Sequence, residues 1–211
     1  MSKQILITKR DGSKEDLDLS KLHQVVFHAC ESITGVSPSE VEIKSHIQFY
    51  TGITSSDIQE TLIKSAADLI TEETPNYQFV AGRLINYHLR KMVYGQFEPH
   101  CLCDIISVNV DRGFYDPEIL ELYTKEEINE LSDYIVHERD ESLTYAAMEQ
   151  FRGKYLVQNR STGEIFETPQ VAYMLISATL FSAYPEEIRL QTVKDYYDAI
   201  STHYILSLIH I

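Results

Sequence analysis

The sequence predicts a mainly α-helical α+β fold: a small β-hairpin capping a four-helix bundle, followed by a helical region with one further hairpin. Three observations carry this expectation. Apolar residues recur at helical spacing along most of the 211 residues. Capping residues stand immediately before those stripes. Asp11-Gly12 separates two β-compatible runs near the start of the chain, and Gly supplies the positive φ that a tight hairpin turn needs.

Composition narrows the function classes. A hydrophobic content of 44% supports a real core. A net charge of −14 argues against a nucleic-acid coat. The charge is uneven: residues 1–95 hold 10 Lys and Arg against 12 Asp and Glu, while residues 96–211 hold 8 against 20. The first part is thus the better host for an anion, with a boundary near Gly95. No apolar run approaches the roughly 20 residues of a membrane span. Met1-Ser2-Lys3-Gln4 opens no apolar signal region, so neither a membrane nor export is expected. Cys30, Cys101 and Cys103 do not make a disulfide framework, which points to a reducing cytoplasm.

The elements follow in order. The hairpin runs from Gln4 to Asp18. A first helix is predicted from about Leu19 to Ser32, with Leu22, Val25, Val26, Ala29 and Ile33 as its apolar stripe. Ser37-Pro38-Ser39-Glu40 reads as a capping box opening a second helix that ends before Gly52. Thr54-Ser55-Ser56-Asp57 reads as another, with Ile53 and Ile58 as a hydrophobic staple, and Ile58, Leu62, Ala66 and Leu69 facing inward. Thr74-Pro75 opens a fourth helix with Tyr77, Val80, Ala81, Leu84, His88 and Met92 inward, ended by Gly95. Further helices are predicted at Pro99 to Val110, after Asp116-Pro117, from the Thr124-to-Glu127 box to His137, and from Ser142 to Arg152. Lys154 to Val157 and Glu164 to Glu167 read as a hairpin around Asn159 to Gly163. Two helices close the pattern, from Thr168-Pro169 to Ser182 and from Glu186 to Ser201.

Lys9-Arg10, with Lys21 and Lys91, is the leading anion site. Arg presents a planar fork to phosphate oxygens and Lys a mobile point charge. The bland reading is a solvated basic pair, with Arg90-Lys91 complementing the dipole at a helix C-terminus. Glu15 and Asp18 offer acceptors to an adenine amino group or a ribose hydroxyl, while Asp18 equally suits a helix N-cap. Leu22 and Ile58 read as core residues between which a base could slot. His100-Cys101-Leu102-Cys103 lacks zinc-site spacing, so no metal is expected. No catalytic triad, phosphate-cradling Gly loop or H-E-x-x-H is present.

Several stretches carry a resemblance. Ile7-Thr8-Lys9-Arg10-Asp11-Gly12, Lys21, Thr54 to Asp57, and His88-Leu89-Arg90-Lys91 followed by Tyr94 to Pro99 resemble the ATP-cone. This is the regulatory nucleotide domain at the N-terminus of ribonucleoside-diphosphate reductase large subunits. Tyr115-Asp116, His137-Glu138-Arg139-Asp140, Lys154 to Arg160, Thr162 to Ile165, and Phe181-Ser182 to Ala199 resemble the helical region that follows in the aerobic class I enzyme. The resemblance covers roughly residues 3–202. It implies an ATP-cone at 1–95, a helical domain at 96–202 leading toward an α/β barrel, and a tail at 203–211 foreign to the family.

The resemblance further implies that ATP activates and dATP inhibits, as allosteric effectors. Lys9, Arg10 and Lys91 take the phosphates. Glu15, Asp16, Leu17, Asp18, Leu19, Ser20 and Lys21 wrap base and ribose with Leu22, and Ser55, Ile58 and Gln59 come from the third helix. Asp18 stands where Asn is frequent, Ser55 where Thr is, and Gln59 where His is. The family enzyme reduces ribonucleotides to deoxyribonucleotides for DNA synthesis. Its partners are a small radical-generating subunit holding the metal centre, a second large subunit, and thioredoxin or glutaredoxin as reductant. The family's catalytic cysteines match none of Cys30, Cys101 and Cys103, so no activity is expected of this stretch alone. Two alternatives stay open: a nucleotide-blind helical interaction domain, and a stand-alone ATP-cone regulator, which the family would equip with a paired-Cys zinc ribbon.

Overall fold

The computed structural model describes residues 5–46 and 48–205. Gln4 of the expected hairpin and residues 206–211 of the expected tail lie outside the described residues. The chain divides into two compact units, residues 1–88 with 141–149, and residues 89–140 with 150–211.

The first unit opens on the predicted hairpin. Strand β1 (Leu6–Thr8) pairs antiparallel with β2 (Lys14–Asp16), in the register Leu6↔Asp16, Ile7↔Glu15, Thr8↔Lys14. Gly12 turns the chain at φ +82°, and its N–H donates to Lys9 O at 3.0 Å. This turn returns Glu15 opposite Ile7, next to the basic pair. The outer edge of β1 is also covered. Gly52 N donates to Leu6 O at 2.8 Å and Thr8 N to Ile53 O at 3.0 Å, making a parallel bridge between Thr8 and Thr54.

Helix α1 (Leu19–Cys30) buries Leu22, Val26, Ala29 and Cys30, one face at helical spacing. Helix α2 (Pro38–His46) starts where predicted, but by another device. Ser37 and Glu40 both turn to the buried Tyr77 hydroxyl, which accepts from Ser37 N at 2.9 Å and donates to Glu40. Burial and that carboxylate push the Tyr77 phenol up to about 12. Helix α3 (Ser55–Ala67) has the predicted box: Asp57 N donates to Thr54 Oγ1 and the Asp57 carboxylate accepts from Thr54 N. Ile53 and Ile58 are both buried, as the staple requires.

Helix α4 (Tyr77–Tyr94) runs 18 residues and ends at Gly95, φ +70°. Its residues pass from the first unit to the second after His88. Tyr77, Val80, Ala81, Leu84 and His88 are buried as expected, but Met92 is 41% exposed. Beyond His88 the buried face shifts to Leu89, Arg90 and Tyr94, away from Met92. Within the first unit Arg83 bonds Glu31 O at 2.6 Å, closing the C-terminal end of α1.

The second unit is helical: α5 (Leu102–Asp111), α6 (Glu118–Leu122), α7 (Lys125–Tyr134), the π-helical turn Phe151–Tyr155, α9 (Pro169–Leu180) and α10 (Glu186–Ser201). A 3-10 turn (His137–Ser142) leaves this unit at Asp140, and helix α8 (Tyr145–Gln150), which belongs to the first unit up to Glu149, starts after Thr144 rather than at Ser142. Helix α9 is apolar and buried on most of its surface, and α10 packs along it. Arg189 of α10 pairs with Glu127 of α7 at 2.6 Å, with both side chains nearly buried. The second hairpin is reduced to a turn with one bridge, Gln158↔Ile165. Lys154 and Tyr155, expected as strand, belong instead to the π-helical turn, whose end Leu156 N closes onto Phe151 O at 3.0 Å. Val157 still accepts from Phe166 N, but its own N–H goes to the Glu167 carboxylate at 2.9 Å. No helix of the described residues is long and apolar enough to cross a membrane.

Gly82 of α4 sits under the loop before α8. A Cβ there would lie 2.2 Å from Leu143 O, a clash with backbone that no rotamer relieves. Gly82→Ala should lower stability by about 1–3 kcal/mol despite the better helix propensity of Ala, read as a reduced midpoint in urea denaturation.

Candidate functional site

The described geometry of the hairpin explains how short-range sequence creates a charged cluster. The Asp11-Gly12 turn holds Lys9 and β2 together, so Lys9 Nζ lies 2.9 Å from Glu15 Oε1. Both side chains remain more than a third exposed. Such a pair contributes about 0–1 kcal/mol and can exchange partners cheaply.

Arg10 is held differently. Its Nη2 donates to His88 Nδ1 at 3.3 Å, and His88 Nε2 lies 3.5 Å from Glu60 Oε1. His88 is 2% exposed. A guanidinium cannot accept, so His88 Nδ1 must be the unprotonated nitrogen and Nε2 the donor toward Glu60. Burial pulls the Arg10 guanidinium down from its ordinary value, and the nearby Tyr87 phenol opposes that. Tyr87 is in turn pushed up by burial, with Arg10 and Lys9 both working against that shift, so its hydroxyl sits in the field of both cations.

The remaining predicted residues fall into clear groups. Asp18 is the N-cap of α1, its carboxylate accepting from Ser20 N at 2.9 Å and Lys21 N at 3.3 Å. Lys21 Nζ also lies 3.8 Å from Asp18. Leu22 and Ile58 are buried in the core, at 7% and 5% exposure. Asp16 and Leu19 are exposed and Leu17 half-buried, its N–H extending the hairpin by donating to Ile5 O. Ser55 opens α3, which the β1 edge anchors, and Gln59 lies one turn on. Gln59 Oε1 is buried without a hydrogen-bond donor. Lys91 is half-buried on α4, three residues after His88 and therefore on the same helix face.

Three residues of this cluster escaped the sequence: Tyr87, Glu60, and His88 as a partner of Arg10. The sequence showed His88 as an inward position and as part of the stretch resembling the ATP-cone, not as a partner of Arg10. Its polarity among apolar neighbours was the available signal. Among the described residues no three His, Cys, Asp or Glu side chains gather as a metal site. Cys101 contacts Asn129 at 3.5 Å, and the His100 ring contacts Tyr94 O. A cavity of about 420 Å³ lies in the second unit, lined by Tyr115, Glu167, Leu175 and Leu180 among others, and includes none of the predicted nucleotide contacts.

Comparison with known proteins matches two stretches of the chain. The ATP cone domain family matches residues 5–92, and the ribonucleotide reductase all-alpha domain matches residues 141–207. The chain is 54% identical over 202 residues to ribonucleoside-diphosphate reductase 1 subunit alpha of Escherichia coli K12. The chain carries an ATP cone domain and the ribonucleotide reductase all-alpha domain, and is similar to the N-terminal part of that alpha subunit. The E. coli match covers 96% of this chain and 26% of that subunit. The alpha subunits of Salmonella typhimurium LT2 and Haemophilus influenzae Rd are each 52% identical, over 96% of this chain and 26% and 27% of theirs. The chain thus spans about a quarter of the length of these alpha subunits. Residues 203–207, expected to be foreign to the family, fall inside the all-alpha match.

Asp18 separates a structural role from a ligand role. Asp18→Ala should cost about 0.5–2 kcal/mol through loss of the cap, whereas Asp18→Asn keeps a capping oxygen and should stay near wild type. Thermal denaturation of the two variants checks this.

Proposed function

We propose that residues 1–95 form an effector domain that binds ATP or dATP, in the regulatory segment of a ribonucleoside-diphosphate reductase large subunit. The observation that carries this reading is the cation pair Lys9 and Arg10 on one hairpin, Arg10 braced by buried His88, inside the stretch matched by the ATP cone domain. In this reading Lys9, Arg10 and Lys91 take the triphosphate. Glu15, Asp16, Leu17, Asp18, Leu19, Ser20, Lys21 and Leu22 line the base and ribose, with Ser55, Ile58 and Gln59 from α3.

The energetics favour exchange. Lys9 gives up an exposed ion pair of about 0–1 kcal/mol. It gains a charge-assisted phosphate contact of about 1.5–3 kcal/mol. Gln59 Oε1, buried without a donor, is available to accept from the nucleotide. Asp18 can accept from a ribose hydroxyl with lone pairs its cap leaves free. The rest of the large subunit would supply the reduction of ribonucleotides, with a small radical-generating partner holding the metal, a second large subunit, and thioredoxin or glutaredoxin. Residues 96–202 would form the helical domain between the effector domain and that machinery. Burial pushes the Cys30 thiol up to about 11, which fits a structural cysteine rather than a redox one.

A second reading, a nucleotide-blind helical domain, draws on the fact that Lys9 and Arg10 already have protein partners. Calorimetry on residues 1–211 decides between them. Binding of dATP or ATP is expected, weakened by about 10–150-fold in Lys9→Ala and again in Lys91→Ala, as the loss of roughly 1.5–3 kcal/mol per contact implies. No heat with either nucleotide at millimolar concentration would leave the interaction domain standing.

A further inference from the structure

The second unit holds a polar centre that nucleotide binding does not use. Asp140, in the 3-10 turn His137–Ser142, is 0% exposed. Its Oδ1 accepts from Gln170 Nε2 of α9 at 2.9 Å, and its Oδ2 is buried with no hydrogen-bond partner. Gln170 is itself 1% exposed, and its Oε1 accepts from the buried Tyr197 hydroxyl of α10 at 2.7 Å. That hydroxyl accepts from Val136 N at 2.9 Å, just before the turn. Gln170 and Tyr197 therefore join both ends of the 136–140 stretch to α9 and α10.

We propose that Asp140 is a proton-controlled latch: as a neutral acid it fastens the 137–142 turn to α9, and as a carboxylate it lets that turn go. The charge balance around it supports this. From α4, Arg90 and Tyr94 face it; from its own turn, His137 and Glu138; from α9, Gln170 and Tyr173; from α10, Tyr197. Arg90 is the one guanidinium of this set. It is committed elsewhere, donating to His137 O at 2.9 Å and lying 4.8 Å over the Phe97 ring, with Nε unpartnered. Burial and Arg90 hold His137 neutral, down at about 4. Arg139, next in sequence to Asp140, turns away to Asp198 at 2.7 Å. An ionised Asp140 would thus keep only neutral donors, those of Gln170, and a bare buried Oδ2. Leaving a neutral O–H unpaired is much cheaper than leaving a buried charge so.

Burial accordingly lifts the Asp140 carboxyl to about 7, against the opposing Gln170 bond and Arg90. A free carboxyl in the unfolded chain ionises near 3.8. Between those values the native state binds one more proton than the unfolded state, so this contribution to stability falls as pH rises and levels off above about 7.

The test is a carbon-13 titration of the Asp140 carboxyl and nitrogen-15 detection of the Gln170 side-chain amide, in the wild-type 1–211 chain from pH 5 to 8.5. The expected result is an Asp140 midpoint near neutrality, with the Gln170 amide shifting at the same midpoint. In parallel, the folding constant of wild type should drop by up to about tenfold per pH unit relative to Asp140→Asn between pH 5 and 7. An Asp140 midpoint in the ordinary carboxylate range, a Gln170 amide indifferent to the titration, or an Asp140→Asn variant with the wild-type pH dependence would each overturn the latch. The titration needs no variant, so it decides even where Asp140→Asn does not fold. It involves no nucleotide, so its failure leaves the effector reading untouched.

Discussion

The first unit depends on two backbone hydrogen bonds, Gly52 N to Leu6 O and Thr8 N to Ile53 O. A two-stranded hairpin is marginal alone in water. These bonds pair its outer edge with the segment entering α3, so hairpin and helix share one ladder. The bridge at Thr54 also fixes the capping residue of α3. Cationic residues from the hairpin and polar residues from the start of α3 are thereby carried on one rigid piece. Without this edge pairing, Lys9 and Arg10 would be two side chains on a mobile loop.

Two kinds of electrostatic partnership coexist. Lys9–Glu15 is an exposed pair that costs little to break, suited to a residue that must change partners. Arg10–His88–Glu60 is partly buried and directional, since only the neutral imidazole with Nδ1 free can accept from a guanidinium. In the proposed site the first would contribute a mobile charge and the second an oriented fork.

The second unit spends its polar groups otherwise. Tyr115 donates to the nearly buried Glu167 at 2.6 Å while Val157 N donates to the other oxygen. Glu167 is lifted from its ordinary value by burial and held back by those bonds. Asp140 receives Gln170 on Oδ1 and nothing on Oδ2. Two buried acids in one helical unit thus differ in whether both oxygens are served.

Local sequence determined the elements whose signals are complete within a few residues. Asp11-Gly12 set the hairpin turn, Thr54 to Asp57 and Thr124 to Glu127 set their helix starts, and α10 runs between its predicted ends, Glu186 and Ser201. Lys9 beside Glu15 follows from the hairpin register itself. Tertiary structure decided what needed a distant partner. Tyr77, 37 residues from Glu40, displaced a capping box that looked complete. Glu167 took Val157 N, so Val157 pairs across the second hairpin through its carbonyl alone. His88 became the acceptor of Arg10, 78 residues away. In each case a side chain competed with the local backbone for one donor or acceptor, and only packing determines which competitor is within reach.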